Sequence, residues 1–318
     1  MNAPIRGVFT ALVTPFDREA GIDEPAIRTL VDRQIEAGVA GLVPCGTTGE
    51  GAALSIDEHQ RVVAIVCEQT ASRVPVIAGA GSNNTLRAIA LSRRCKRAGA
   101  DALLHVTPYY VKPTQAGLVA HYRAIADAVD LPIVLYNVPG RTAATLTPET
   151  VLTLAHEPPF VALKQAVPDL DQACTILQDR PDGFAVLSGE DSLTLAMIAL
   201  GADGVISVVA NETPADFVAL VEAAMRGRRA EAIRLQRQLL PLMRANFVES
   251  NPIPVKCALA RMGLIENTLR LPMTPLDAAH VDQVATALYR AGAIELRDVV
   301  TDRAITDRVQ QVAMGASS

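Results

Sequence analysis

Eight short apolar runs, each followed by a stretch with helical spacing, restrict this chain more than any other feature. The runs are VFTALVT (8–14), GLVP (41–44), PVIAGA (75–80), ALLHVT (102–107), PIVLYN (132–137), FVALK (160–164), FAVLSG (184–189) and GVISVV (204–209). They are apolar throughout rather than alternating, so both faces of each strand need cover, which points to parallel pairing. Between them, DEPAIRTLVDRQIEAG sets Ile27, Leu30, Val31 and Ile35 on one helical face, and TLRAIALSRRCKRAG sets Leu86, Ile89, Ala90 and Leu91 near one face. Both segments end at a glycine suited to the left-handed position just past a helix.

Eight such units of roughly 20 to 35 residues close into a (β/α)8 TIM barrel. An open, doubly wound α/β sheet is the alternative. After about residue 215 the strand signal stops, and four helical stretches follow (214–227, 228–247, 251–265 and 275–292). The expected organisation is therefore a barrel over 1–225, a C-terminal helical subdomain over 226–296, and a short helix or frayed tail over 297–318.

Charge excludes several partners. With 29 Lys and Arg against 34 Asp and Glu, a net charge of −5 and no basic run, the chain lacks the footprint of a nucleic-acid binder and any polybasic patch for anionic membrane. No segment reads as a signal peptide, and no apolar run reaches the ~18 to 20 residues of a membrane span, so a cytoplasmic protein is expected. Five cysteines, odd in number and without a CxxC pair, fit neither a disulfide framework nor a zinc site and are read as packing thiols. A small molecule is the expected partner.

In barrel enzymes the chemistry gathers at the C-terminal ends of the strands. The second run leads into CGTTGEG (45–51), whose glycines free backbone N–H groups for an anion while Thr47 and Thr48 add hydroxyls; without a P-loop lysine, a carboxylate fits better than a nucleotide. The fourth ends in HVTPYY, where Tyr109 and Tyr110 either move protons and bind carboxylates or pack a loop or oligomer interface. The fifth ends in YNVPGRT, giving Tyr136 and the fixed cation Arg141. The sixth ends in Lys164. An amine desolvated in a barrel mouth is pushed toward its neutral form, a nucleophile for carbonyls, which suggests Schiff-base chemistry on a keto acid. The alternative is a buried ion pair with a distant carboxylate. His59 and His105 lack partners at metal spacing and are read as core or surface residues, and Glu50 as a residue that orients the threonine loop.

Taken together, GTTGEG, VTPYY, YNVPGRT, the strand-end LK and NPIPVKCALARMGL resemble the pyruvate-dependent class I aldolase family, which includes dihydrodipicolinate synthases and N-acetylneuraminate lyases. The likeness covers about residues 5–293, and YNVPGRT, NPIPVK and LRLPMTPL lean toward the synthase branch. The resemblance implies that Lys164 forms an imine with pyruvate, that Tyr136 moves protons, and that Thr48 and Tyr110 complete a relay. Thr47, Thr48, Gly189 and the backbone near Ile206 would cradle pyruvate, and Arg141 would hold the carboxylate of the aldehyde, L-aspartate 4-semialdehyde. It implies no metal and no dissociable cofactor, because the covalent lysine imine is the electron sink. Since Tyr110 would reach a neighbouring subunit's site, it also implies a tight dimer, commonly paired into a homotetramer. A lyase of N-acetylneuraminate or a 2-keto-3-deoxy sugar acid, and a keto-acid-binding barrel without turnover, are the competing readings.

The chain departs from the synthase pattern in places. It has LKQA where IKEA is usual, so Gln165 replaces an acid, and Gly51 where GTTGES has serine. His59, Asn83 and Tyr109 match positions of the family's lysine effector site, but Arg87 stands where a glutamate helps hold the effector's amino group. A cation there repels lysine, so feedback inhibition by L-lysine is expected to be weak or absent.

Overall fold

A computed structural model describes residues 5–299. All eight expected strands form: β1 (Gly7–Ala11), β2 (Gly41–Val43), β3 (Ile77–Gly79), β4 (Ala102–Val106), β5 (Ile133–Asn137), β6 (Phe160–Gln165), β7 (Ala185–Ser188) and β8 (Gly204–Ser207). Every pairing is parallel, in the order β2-β1-β8-β7-β6-β5-β4-β3. The ring closes between β2 and β3 through a parallel bridge of Leu42 with Val76 and through Gly79 N donating to Pro44 O at 2.9 Å. The fold is the (β/α)8 barrel that the strand count implies.

The first strand is shorter than its apolar run. Leu12 N still donates to Val43 O, but Val13 N turns to the side chain of Asn211 at 3.2 Å, so a side chain takes over where the ladder stops. The two amphipathic segments form helices Glu24–Glu36 and Thr85–Arg97, capped by the side chains of Asp23 and Asn84. Each is followed by the expected glycine in the left-handed region, Gly38 at φ 84° and Gly99 at φ 98°.

Strand parity sorts the core. Val134 and Tyr136 of β5, Ala162 of β6, Leu187 of β7 and Ile206 of β8 belong to one cluster inside the barrel, whereas Leu135, Leu163 and Val186 pack outward beneath helices. Side chains alternate along a strand, so Lys164, two residues after Ala162, falls on the inward face. Register then sets it between Tyr136 of β5 and Leu187 of β7.

Beyond β8 the helices Pro214–Met225, Arg229–Ala245, Ile253–Arg261 and Ala278–Ala291 occupy the four stretches with helical spacing. Arg229–Ala245 packs between Pro214–Met225 and Ala278–Ala291 and carries Pro241 within it. A further turn spans Leu296–Val299; the rest of the expected 297–318 tail lies outside the described residues. Among the described residues no helix is long and apolar enough to cross a membrane.

Barrel closure depends on one backbone approach. Gly204 opens β8 at φ 153°, against Gly7 of β1, and a Cβ at Gly204 would collide with the Gly7 carbonyl. The substitution Gly204→Ala is expected to destabilise the protein by on the order of 3 kcal/mol or to prevent folding, read by urea denaturation. An unchanged midpoint would show that β1 and β8 can separate at no cost.

Candidate active site

The inward register of β5 and β6 brings two of the sequence-derived residues together. Lys164 is 6% exposed, and its Nζ lies 4.4 Å from the centre of the Tyr136 ring, which is itself buried. Among the described residues no carboxylate forms an ion pair with Lys164. Burial pushes the carboxyls of Glu190 and Asp191, after β7, upward, and Lys164 acts on both in the opposite direction. At Asp191 the effect of burial is also opposed by the N–H groups of Val208 and Val209, which donate to its Oδ2 at 3.0 and 2.8 Å. That cap pins the chain just past β8, and so the Ile206 backbone that the resemblance assigns to pyruvate.

The threonine loop follows β2 and is held from the C-terminal part of the chain. Thr48 is buried, and its Oγ1 accepts from Asn251 Nδ2 at 2.9 Å, whereas Thr47 is half-buried. Glu50 takes a left-handed backbone at φ 49° and turns its carboxylate inward. There Lys256 Nζ, fully buried in helix Ile253–Arg261, lies 2.6 Å from Glu50 Oε1 and donates to Thr14 O at 3.0 Å. Arg270 N donates to Glu50 Oε2 at 3.2 Å, and the Phe16 ring lies 4.2 Å from Lys256 Nζ. Burial lowers the Lys256 pKa, while the Glu50 charge pushes it back up. Gly51 lies against the carbonyl of Cys45, which a Cβ would strike, so the serine of the usual motif does not fit this loop.

Other site candidates lie on neighbouring strand exits. Arg141 lies in the short helix Pro139–Thr142, and its Nη2 reaches the backbone oxygen of Asn251 at 3.5 Å. Gly189 N donates to Gln165 O at 2.7 Å, fixing the turn after β7. Thr107 Oγ1 donates to Thr142 Oγ1 at 3.0 Å and Tyr110 N donates to Thr142 O at 3.2 Å, which tie the β4 exit to the β5 exit. Tyr110 itself does not join the others within one chain: it is 86% exposed, on a left-handed backbone at φ 73°.

Gln165 faces away from the barrel mouth, as strand parity requires of the residue after Lys164. Its Oε1 accepts from Asn137 Nδ2 at 3.2 Å, and its Nε2 donates to Gln172 Oε1 at 2.5 Å. A carboxamide makes both bonds at once; a carboxylate would only accept. His105 is fully buried, with burial pushing its pKa down to about 3, and His59 is buried too, in keeping with core roles. Among the described residues no group of three or more His, Cys, Asp or Glu side chains is placed to hold a metal.

Residues 4–291 match the model of the dihydrodipicolinate synthetase family. The chain belongs to that family. A 4-hydroxy-tetrahydrodipicolinate synthase of Pelobacter propionicus is 53% identical over 91% of this chain and 99% of its own length. Among solved structures, the chloride-inhibited dihydrodipicolinate synthase of Acinetobacter baumannii, complexed with pyruvate, is 43% identical at TM-score 0.89, covering 91% of this chain and all of that one. The dihydrodipicolinate synthase of Cyanidioschyzon merolae, solved with lysine bound, is 39% identical at the same TM-score, over 91% of this chain and 99% of that one.

Two residues of this family member were passed over by reasoning on strand ends, Asn251 and Lys256. A signal for Lys256 exists: it is a lone cation in the apolar stretch IPVKCALA, the same anomaly that singles out Lys164. Replacing Lys256 by Met strands the Glu50 carboxylate in the interior and is expected to cost about 3 to 5 kcal/mol, with Lys256→Met/Glu50→Gln recovering most of the loss. Denaturant melts of both variants check this; equal stability of the single and double variants would contradict the pairing.

Proposed function

We infer that this chain carries the 4-hydroxy-tetrahydrodipicolinate synthase reaction, condensing pyruvate with L-aspartate 4-semialdehyde in lysine biosynthesis. The observation that carries the reading is the buried, unpaired Lys164 amine in register with Tyr136, within a chain of this family. Covalent catalysis on a carbonyl needs an amine nucleophile beside a proton carrier, and Lys164 and Tyr136 are the two groups of that kind in register here.

In this reading Lys164 Nζ attacks the keto carbon of pyruvate and water leaves, giving a protonated imine. The imine draws electrons from the neighbouring methyl group, which loses a proton through Tyr136, Thr48 and Tyr110 to give the enamine. The enamine carbon bonds to the aldehyde carbon, whose oxygen takes up a proton. The product's own amine then attacks the imine carbon, closes the ring and releases Lys164 as the free amine. Thr47 and Thr48, Gly189 and the Ile206 backbone hold the pyruvate carboxylate end, where backbone N–H groups and hydroxyls suit an anion. Arg141 binds the aldehyde's carboxylate, the task for which a planar guanidinium is suited.

Tyr110 acts, in this reading, in the site of a neighbouring subunit. Its exposure and the strain of its left-handed backbone support that assignment, since its side chain makes no hydrogen bond within its own chain among the described residues. A homotetramer built as a dimer of dimers follows from the same resemblance. The protein is proposed to work in the cytoplasm, where its five free cysteines would stay reduced.

Treatment with pyruvate and borohydride is expected to fix a reduced adduct on Lys164, located by peptide mapping, and Lys164→Ala is expected to lower kcat on the order of a thousandfold or more. Adduct on another lysine would sink the assignment. Aspartate semialdehyde is expected to outperform N-acetylmannosamine as the second substrate in a coupled assay.

Arg87 is exposed on the first turn of helix Thr85–Arg97, where the resemblance asks for an acid. L-lysine is therefore expected to inhibit weakly or not at all, with half-inhibition above about millimolar, and Arg87→Glu to strengthen inhibition. Half-loss of activity at lower lysine in the unmutated protein would contradict this.

A further inference from the structure

Asn251 precedes helix Ile253–Arg261, where the C-terminal part of the chain returns to the barrel mouth. It is 3% exposed, its Nδ2 donates to Thr48 Oγ1 at 2.9 Å, and its backbone oxygen accepts from Arg141 Nη2 at 3.5 Å. One buried residue thus touches both the hydroxyl assigned to the proton relay and the cation assigned to the aldehyde. Its helix is in turn anchored under the threonine loop by Lys256 and Glu50.

A threonine hydroxyl has one hydrogen to give and two lone pairs to receive. Because Asn251 donates to it, Thr48 does not spend its hydrogen there. In this orientation the amide meets Thr48 through Nδ2, while its Oδ1 is buried without a partner.

We propose that Asn251 is a positioning residue that sets the polarity of the relay, keeping the Thr48 hydrogen available to the pocket and one lone pair open to the next proton. The inference rests on the relay role given to Thr48 above. It separates a donating partner from a merely filling one. Asparagine and aspartate have nearly the same shape, but an ionised aspartate only accepts, so it would pull the Thr48 hydrogen away from the pocket. A buried aspartic acid ionises late, and its protonated form again donates.

The test follows exchange of the pyruvate methyl hydrogens with D2O by NMR, without aldehyde, so that Arg141 plays no part in the readout. Asn251→Leu is expected to slow exchange about tenfold to a hundredfold at every pH, as a displaced catalytic group does. Asn251→Asp is expected to be as slow at pH 8 and to recover as pH falls. Thr48→Val/Asn251→Leu is expected to be no slower than Thr48→Val alone, because both act through one hydroxyl. Borohydride trapping on Lys164 monitors the integrity of the site in each variant. Wild-type exchange in Asn251→Asp, a slow rate that does not respond to pH, or additive losses in the double variant would overturn the proposal. If Thr48→Val itself exchanges at the wild-type rate with Lys164 still trapped, the role of Thr48 falls, and that of Asn251 with it.

Discussion

The buried pair of Lys256 and Glu50 is the contact on which the geometry of the mouth depends. A carboxylate and an ammonium removed from water each cost several kcal/mol, and their attraction offsets that only when remaining donors and acceptors are met. Here Thr14 O, Arg270 N and the Phe16 ring supply the remainder. The result is a strut between helix Ile253–Arg261 and the loop after β2. The loop cannot shift without stranding a charge, so Thr48 is held by electrostatics and not by the stiffness of a glycine-rich turn.

Barrel parity does the rest. Once β5 and β6 pair with Tyr136 opposite Lys164, both side chains face the interior, and Gln165 is turned out to Asn137 and Gln172. The carboxamide that stands where the resemblance leads one to expect an acid therefore lies on the face of β6 opposite Lys164. The amide lies behind the strand, where it links β5, β6 and the next helix.

Much of this was legible in advance. Parallel strands buried on both faces are apolar runs, and a cation at the end of such a run is conspicuous, so Lys164, Tyr136 and the threonine loop could be picked from their positions. Asn251 could not, because nothing local marks an asparagine before a proline as the partner of a threonine far away in the chain. Lys256 had a local signal, but helical spacing alone does not say whether a lone cation is buried or reaches solvent. The serine position of the loop gives a third case: only the distance to the Cys45 carbonyl explains why Gly51 stands there.

By itself the sequence determined the alternation of strand and helix, hence the barrel, and the identity of the groups at the strand ends, because hydrophobic period and chain order are local properties. The tertiary structure alone decided which of those groups meet. Lys164 and Tyr136 converge because adjacent strands share a register, Tyr110 projects outward because its backbone turns left-handed, and Thr48 finds Asn251 because a buried ion pair brings a distant helix over the barrel mouth. Contacts between segments far apart in sequence depend on packing and desolvation, and neither is written in any one stretch of residues.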